Sequence, residues 1–351
     1  MKNRVLLFAL IVALLITGST NQADTSSGTS QDGKQNTRTR NAQKQQDSEE
    51  GEVLKVGTEL VTVPFSVTNK QNRYITDVKQ EEVAVFEDGK QQELFSFTRE
   101  TDLPLTFVIL LDISGSQELT LPSQKEAAIN FLEKVIRPEK DLAAVVTFRK
   151  DVEMLQGLTA NIRQIRTALD SIRFTPGSAS VSGTPPLGGS AYAGTSLYDA
   201  IYVTTDELLA KEAGRRVIIM LTDGRDTTSS YSRQKAIERA WRSEVLVYSI
   251  GIEGRGQYGG QVFTEDVDKK TLQTICEETG GRLFLPKSES EYQNAFRQIE
   301  DDLRQQYILA YTPSNDTTDG AFRTITVKLN RKDSREVKVL HRRGYYTKKG
   351  V

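Results

Sequence analysis

Apolar positions along the chain follow two different rhythms. Between residues 105 and 304, the near-continuous apolar runs LTFVILLD, LAAVVTF, VIIMLTD and VLVYSIGI are separated by stretches in which apolar residues recur every three to four positions. The runs read as strands buried on both faces. The intervening stretches read as amphipathic helices over residues 125–136, 162–172, 197–211, 232–241, 269–279 and 289–305. Such an alternation predicts an α/β fold: a doubly wound, mostly parallel sheet with helices on both faces. VEMLQ, starting at Val152, has no helix before it and is expected to pair antiparallel at the sheet edge.

Outside this region the period is two. Val61, Val63, Phe65 and Val67 alternate with Thr62, Pro64, Ser66 and Thr68, as in a half-buried strand. VAVFEDGKQQELFSF follows, with Asp88-Gly89 placed as a tight hairpin turn. The C-terminal runs YILAYT, FRTITVKL and EVKVLHRRGYY behave similarly. The two ends are therefore expected to combine: residues 53–102 and 305–351 form one small β-sandwich-like domain, with residues 103–304 inserted between them. Upstream, Lys2 and Arg4 flank an apolar run over residues 5–16. That run is shorter than the roughly 20 residues a membrane span requires. It predicts a signal peptide over residues 1–19, with an uncleaved N-terminal anchor as the alternative, and so a secreted, periplasmic or cell-envelope location. Residues 20–52 contain only Ala23 and Ala42 as apolar side chains and read as a disordered polar linker.

Composition narrows the chemistry. A formal net charge of -1 speaks against any global affinity for nucleic acid or an anionic membrane. The single cysteine, Cys276, rules out an internal disulfide; no disulfide-linked partner is expected, and its helical spacing with Leu272 predicts a buried packing residue. The single histidine, His341, excludes multi-histidine zinc centres. Residues 323–349 are rich in Lys and Arg, which an exposed sheet face would explain. Carboxylates and hydroxyls remain as candidate metal donors.

They cluster at the end of the first central run. In VILLDISGSQ, Asp112, Ser114 and Ser116 occupy positions i, i+2 and i+4, and an extended turn can point all three to one side. Mg²⁺ favours hard oxygen donors of this kind, at about 2.1 Å. RRVIIMLTDG places Asp223 at the end of another strand, and in GGSAYAGTSLYDAI Thr195 follows a glycine and opens a helix. In open α/β sheets, ligands bind at the carboxyl ends of the strands.

D-x-S-x-S, then Thr after Gly at a helix start, then Asp-Gly ending a later strand: this order resembles the von Willebrand factor type A domain and its metal-ion-dependent adhesion site. VFEDGKQ, GTSLYDAI, TGGRLF and YILAYTP extend the resemblance to bacterial exported proteins carrying a related domain. The resemblance implies that Asp112, Ser114, Ser116, Thr195 and Asp223 bind Mg²⁺, or Mn²⁺ or Ca²⁺, directly or through water. It implies also that an exposed Asp or Glu of a partner protein completes the shell. The expected function is a non-enzymatic, metal-dependent interaction or adhesion module. A metal-stabilised structural domain of an envelope complex and a Mg²⁺-dependent hydrolase are the alternatives. Ser196 and Asp199 read as a capping box, Arg225 and Asp226 as solvated rim residues, and the Gly-, Pro- and Ser-rich loop 175–194 as a frame for the partner.

Overall fold

The computed structural model describes residues 60–71, 73–99, 102–173, 194–258, 261–331 and 334–348. The expected signal segment, the polar linker and loop 175–194 except Gly194 lie outside them. The N-terminal flank contributes β1 (Val61–Asn69), β2 (Val83–Glu87), β3 (Lys90–Gln92) and β4 (Leu94–Arg99). The central region runs β5 (Leu105–Asp112), α1 (Leu121–Val135), β6 (Leu142–Phe148), β7 (Val152–Thr159), α2 (Ile162–Ser171), α3 (Leu197–Val203), β8 (Arg215–Thr222), α4 (Arg233–Arg242) and β9 (Val245–Gly251). It continues with β10 (Gly254–Tyr258), β11 (Gln261–Glu265), α5 (Lys269–Thr279), β12 (Leu283–Phe284) and α6 (Glu289–Arg304). The C-terminal flank adds β13 (Tyr307–Tyr311), β14 (Phe322–Leu329), β15 (Val337–His341) and β16 (Gly344–Tyr346).

The central sheet has the order β12-β9-β8-β5-β6-β7, parallel throughout except for β7, which pairs antiparallel with β6 at the edge. Its continuous apolar strands are explained by two separate cores. Phe107, Ile109 and Leu111 of β5 pack with α1, α2 and α6, while Val108 and Leu110 pack on the other face with α3, α4 and α5. Burial of both faces drives the fold and leaves few positions for a polar side chain, Thr106, Thr147 and Ser249 among them, before the strand ends. Because β5 lies beside β8, with Leu111 opposite Leu221, the acidic residues that follow these positions emerge next to each other.

Strands from both flanks interleave in two antiparallel sheets, β15-β1-β13-β4 and β16-β14-β2-β3. Val63, Phe65, Val85, Tyr311 and Val327 join them in one apolar core, so the flanks form the sandwich-like layer pair that their alternation predicts. Asp88 and Gly89 take φ values of 46° and 81°, the positive pair a two-residue hairpin turn demands.

Three features depart from the expectations. β10 and β11 form an antiparallel hairpin where no strand was predicted, because GRGQY carries no apolar alternation. The helix expected over 197–211 is regular only to Val203 and then widens into a π-helical segment, Thr204–Leu209. The basic C-terminal stretch is not one exposed face: Arg323 and Arg342 are buried, held by Asp319 and Glu244. Cys276 is buried and free. Among the described residues, no helix is long and apolar enough to cross a membrane.

Candidate metal centre

Asp112 is the last residue of β5 and is fully buried. A carboxylate there must find donors, and it finds two: the Ser114 backbone N–H donates to Oδ1 at 2.9 Å, and the Thr222 hydroxyl to Oδ2 at 2.6 Å. The first of these bonds turns the chain sharply and sends Ser114 and Ser116 back over the strand end. Their hydroxyls lie 3.1 Å apart, and Ser116 Oγ donates to Asp223 Oδ2 at 2.7 Å. Asp223, just past β8, is itself buried and also accepts from Gln117 Nε2 at 3.2 Å and from the Arg225 backbone N–H at 3.0 Å. Four of the five expected ligands, Asp112, Ser114, Ser116 and Asp223, thus fall in one hydrogen-bonded cluster.

Thr195 reaches the same end of the sheet by a different route. Its N–H donates to Thr227 Oγ1 at 2.8 Å, and its carbonyl accepts from the N–H groups of Thr227 and Thr228. Among the described residues, no hydrogen bond joins its hydroxyl to the other four. The neighbouring capping box does not form. Ser196 holds the N-cap position of α3, but its hydroxyl donates to Lys150 O and pairs with Thr228 Oγ1. The α3 amides are capped instead from the loop after β8: Ser229 Oγ accepts from the N–H groups of Tyr198 and Asp199, and Asp226 Oδ1 accepts from Tyr198 N–H. Asp226 is therefore not a merely solvated rim residue, whereas Arg225 is exposed and lies 3.3 Å from Glu265 of β11.

The unpredicted hairpin forms one wall of this cluster. Leu119 N–H donates to Arg255 O at 3.0 Å, and a Cβ added at Gly254 would stand 2.8 Å from Ser116 Cβ and 3.1 Å from Asp223 Oδ2. Only glycine permits that approach. Thr222, Gln117 and Gly254 escaped the sequence reading because their roles depend on contacts across more than 100 positions. The closely spaced glycines of GRGQYGG were the one local signal.

Electrostatically the cluster is under tension. Burial, and then the charge of Asp223, push the Asp112 carboxyl well above the usual carboxylate range, against the lowering effect of the Ser114 and Thr222 hydrogen bonds. Among the described residues neither carboxylate has an ion pair, although both are buried. Unpaired buried charge is costly, and a hard divalent cation relieves it. The donor set fits such an ion: two carboxylates, with hydroxyls whose O–H bonds rotate to turn lone pairs inward. Among the described residues no group of three or more His, Cys, Asp or Glu that could hold a metal gathers, here or elsewhere, so the hydroxyls would have to complete the donor set.

One family of known proteins matches more than half of the chain. The profile described as "von Willebrand factor type A domain" matches residues 107–298. An uncharacterized protein of Borreliella burgdorferi is 26% identical over 206 residues, covering 54% of this chain and 56% of that protein, so the chain spans little more than half of its relative's length. The conserved hypothetical protein BatB from Bacteroides thetaiotaomicron superposes with a TM-score of 0.45 at 19% identity, over 56% of this chain and 98% of that one. Proximal thread matrix protein 1 from the mussel byssus, solved with a zinc-occupied MIDAS motif, gives 0.44 at 17% identity, over 62% and 49%. A type A structure from Catenulispora acidiphila gives 0.46 at 12% identity, over 84% and 75%.

Proposed function

This chain belongs to the von Willebrand factor type A domain family, and from that premise we propose that it is an exported interaction module that grips an acidic residue of a partner protein through a divalent cation. The family consists of protein-interaction and adhesion modules that are generally non-enzymatic. The observation that carries the cation is the pair of buried carboxylates, Asp112 and Asp223, set in one hydroxyl-lined cluster without an ion pair among the described residues. When bound, Mg²⁺, Mn²⁺ or Ca²⁺ supplies a Lewis-acidic position for a carboxylate oxygen.

The residues of the chain divide the remaining work. Asp112 and Asp223 supply the negative charge, and Ser114, Ser116 and Thr195 supply neutral oxygens. Thr222 and the Ser114 amide fix the orientation of Asp112, while Gln117 fixes that of Asp223. Preorganisation of this kind limits the ordering entropy lost when a partner docks. The chain's one imidazole, His341, lies in β15 with Nδ1 2.7 Å from Arg342 O, so it lends no support to a hydrolytic reading. The Lys2 and Arg4 flank and the apolar run of residues 5–16 support export. Loop 175–194 runs in sequence up to Thr195 and frames the partner.

Immobilised full-length protein should capture its partner from the source organism's envelope fraction in Mg²⁺ and release it in EDTA. Thr195→Ala should weaken capture and Asp112→Ala should abolish it. Equal capture in EDTA contradicts the proposal.

A further inference from the structure

The opposite end of the central sheet holds a second site-like feature. Where the amino ends of β8 and β9 meet β1 and the β15–β16 connection, two adjoining cavities of about 130 and 360 Å³ share Arg216, Trp241, Glu244 and Arg342 as lining. Arg215, Arg242 and Lys348 complete a set of cationic side chains around them, and Glu244 is the one acidic residue in the lining. Together the cavities have the size of a small-ligand site.

Arg342 is 4% exposed. Its Nη2 donates to Thr62 O at 2.8 Å, and its Nη1 lies 2.9 Å from Glu244 Oε1 without making an aligned hydrogen bond. The other oxygen of Glu244 lies 3.3 Å from Arg216 Nη2. The buried Nε atoms of both arginines have no hydrogen-bond partner. One carboxylate, itself half exposed, is thus shared by two guanidiniums that retain unused donors. Glu244 is also held at φ 51°, a left-handed conformation that non-glycine residues rarely adopt. Beside these donors lies an aromatic wall: Trp241, 6% exposed and 4.4 Å from the Phe322 ring, and Tyr346 with the Arg242 guanidinium 4.0 Å over its ring.

We propose that this cleft binds a small organic anion, a carboxylate or phosphate carried on a flat apolar body. The anion takes the free donors of Arg216 and Arg342, bridging the two guanidiniums as Glu244 does. The apolar body rests against Trp241 and Tyr346. Glu244 acts as a built-in competitor that holds the arginines in place in the absence of ligand. The site requires no metal and stands independently of the cation centre.

The test is calorimetric titration of the full chain with phenyl phosphate and with benzoate, on wild type, Arg216→Gln, Glu244→Gln and Asp112→Ala, each checked for fold by circular dichroism. One or both aryl anions should bind wild type, and the better of the two assigns phosphate or carboxylate as the natural headgroup. Arg216→Gln should weaken binding roughly tenfold or more, as loss of charged hydrogen bonds does. Glu244→Gln should tighten it, a gain that a merely structural role for the residue would not produce. Asp112→Ala should change nothing. Absence of binding by both wild type and Glu244→Gln, or unchanged affinity in Arg216→Gln, overturns the proposal.

Discussion

At the carboxyl ends of β5 and β8 the central sheet gathers two buried carboxylates, whereas at the amino ends of β8 and β9 it gathers buried guanidiniums. The two ends handle their charge differently. Asp112 and Asp223 sit at the ends of neighbouring strands with only neutral donors around them, and the charge of Asp223 raises the cost of ionising Asp112. Arg216 and Arg342 instead have Glu244 between them. The carboxylate end therefore needs an external ion to be comfortable, and the arginine end is already partly neutralised. In both cases the sheet supplies proximity and dryness, and the strand ends and the loops beside them carry the charge.

The largest effect comes from breaking the arginine end. Arg342→Ala removes the donor to Thr62 O and a buried stem that joins the sandwich to the α/β layers. Because Glu244 is half exposed and stays hydrated, the expected loss is about 2–3 kcal/mol, below the full cost of breaking a wholly buried pair. Urea unfolding measures it. A loss below about 0.5 kcal/mol, the range of ordinary surface substitutions, would show that the two layers do not depend on this arginine.

How much of this contrast is legible in the sequence depends on how local each end is. Asp112, Ser114 and Ser116 lie within five positions of one another after an apolar run, so a local turn brings them together, a 3-10 turn over Gly115–Gln117 in place of the extended one expected. Asp223 is found by the same reasoning, since it ends a strand of the same kind. The arginine cleft is assembled from β1, β8, the end of α4 and the β15–β16 connection, and its basic residues Arg216, Arg242 and Arg342 look like ordinary basic surface when read one at a time. The hairpin β10–β11 was hidden because its glycines serve a close approach to Ser116 and Gly115 and not an apolar face. Ser196 shows the same limit on a smaller scale: the pattern Ser-x-x-Asp was present, but Lys150 O and Thr228 competed for the hydroxyl.

A smaller effect sharpens the carboxylate end. Thr222→Val preserves shape but removes the 2.6 Å hydrogen bond that orients Asp112. Divalent-ion affinity should fall by about 10-fold or more, the usual cost of losing a residue that orients a metal ligand, and cation-free stability by about 1 kcal/mol, because the Gly224 N–H also donates to the Thr222 hydroxyl. Competition with a fluorescent chelator measures this. Unchanged affinity would mean that Asp112 needs no orienting partner.

The smallest effect is on pH dependence. The Asp112 carboxyl is raised in the folded state, by burial first and then by Asp223. A group raised in this way favours folding while protonated, so its contribution is complete at low pH and is lost as pH climbs through the raised value. Asp112→Asn cannot ionise, and the Thr222 hydroxyl can turn to accept from the new amide. In EDTA, the variant should match wild type near about pH 4 and exceed it by about 1–2 kcal/mol near about pH 8. A constant difference across that range would show that repulsion between the carboxylates is not what strains the site.

The central claim, that buried carboxylates at the carboxyl end of the sheet form a cation site, is tested most directly by calorimetric titration of Mg²⁺ and Mn²⁺ into the EDTA-stripped full chain, alongside Asp112→Ala and Asp223→Ala. One ion should bind wild type, with proton release that grows as pH falls toward the carboxylate range, and neither variant should give measurable heat. Equal affinity in wild type and both variants would place the ion elsewhere and contradict the account.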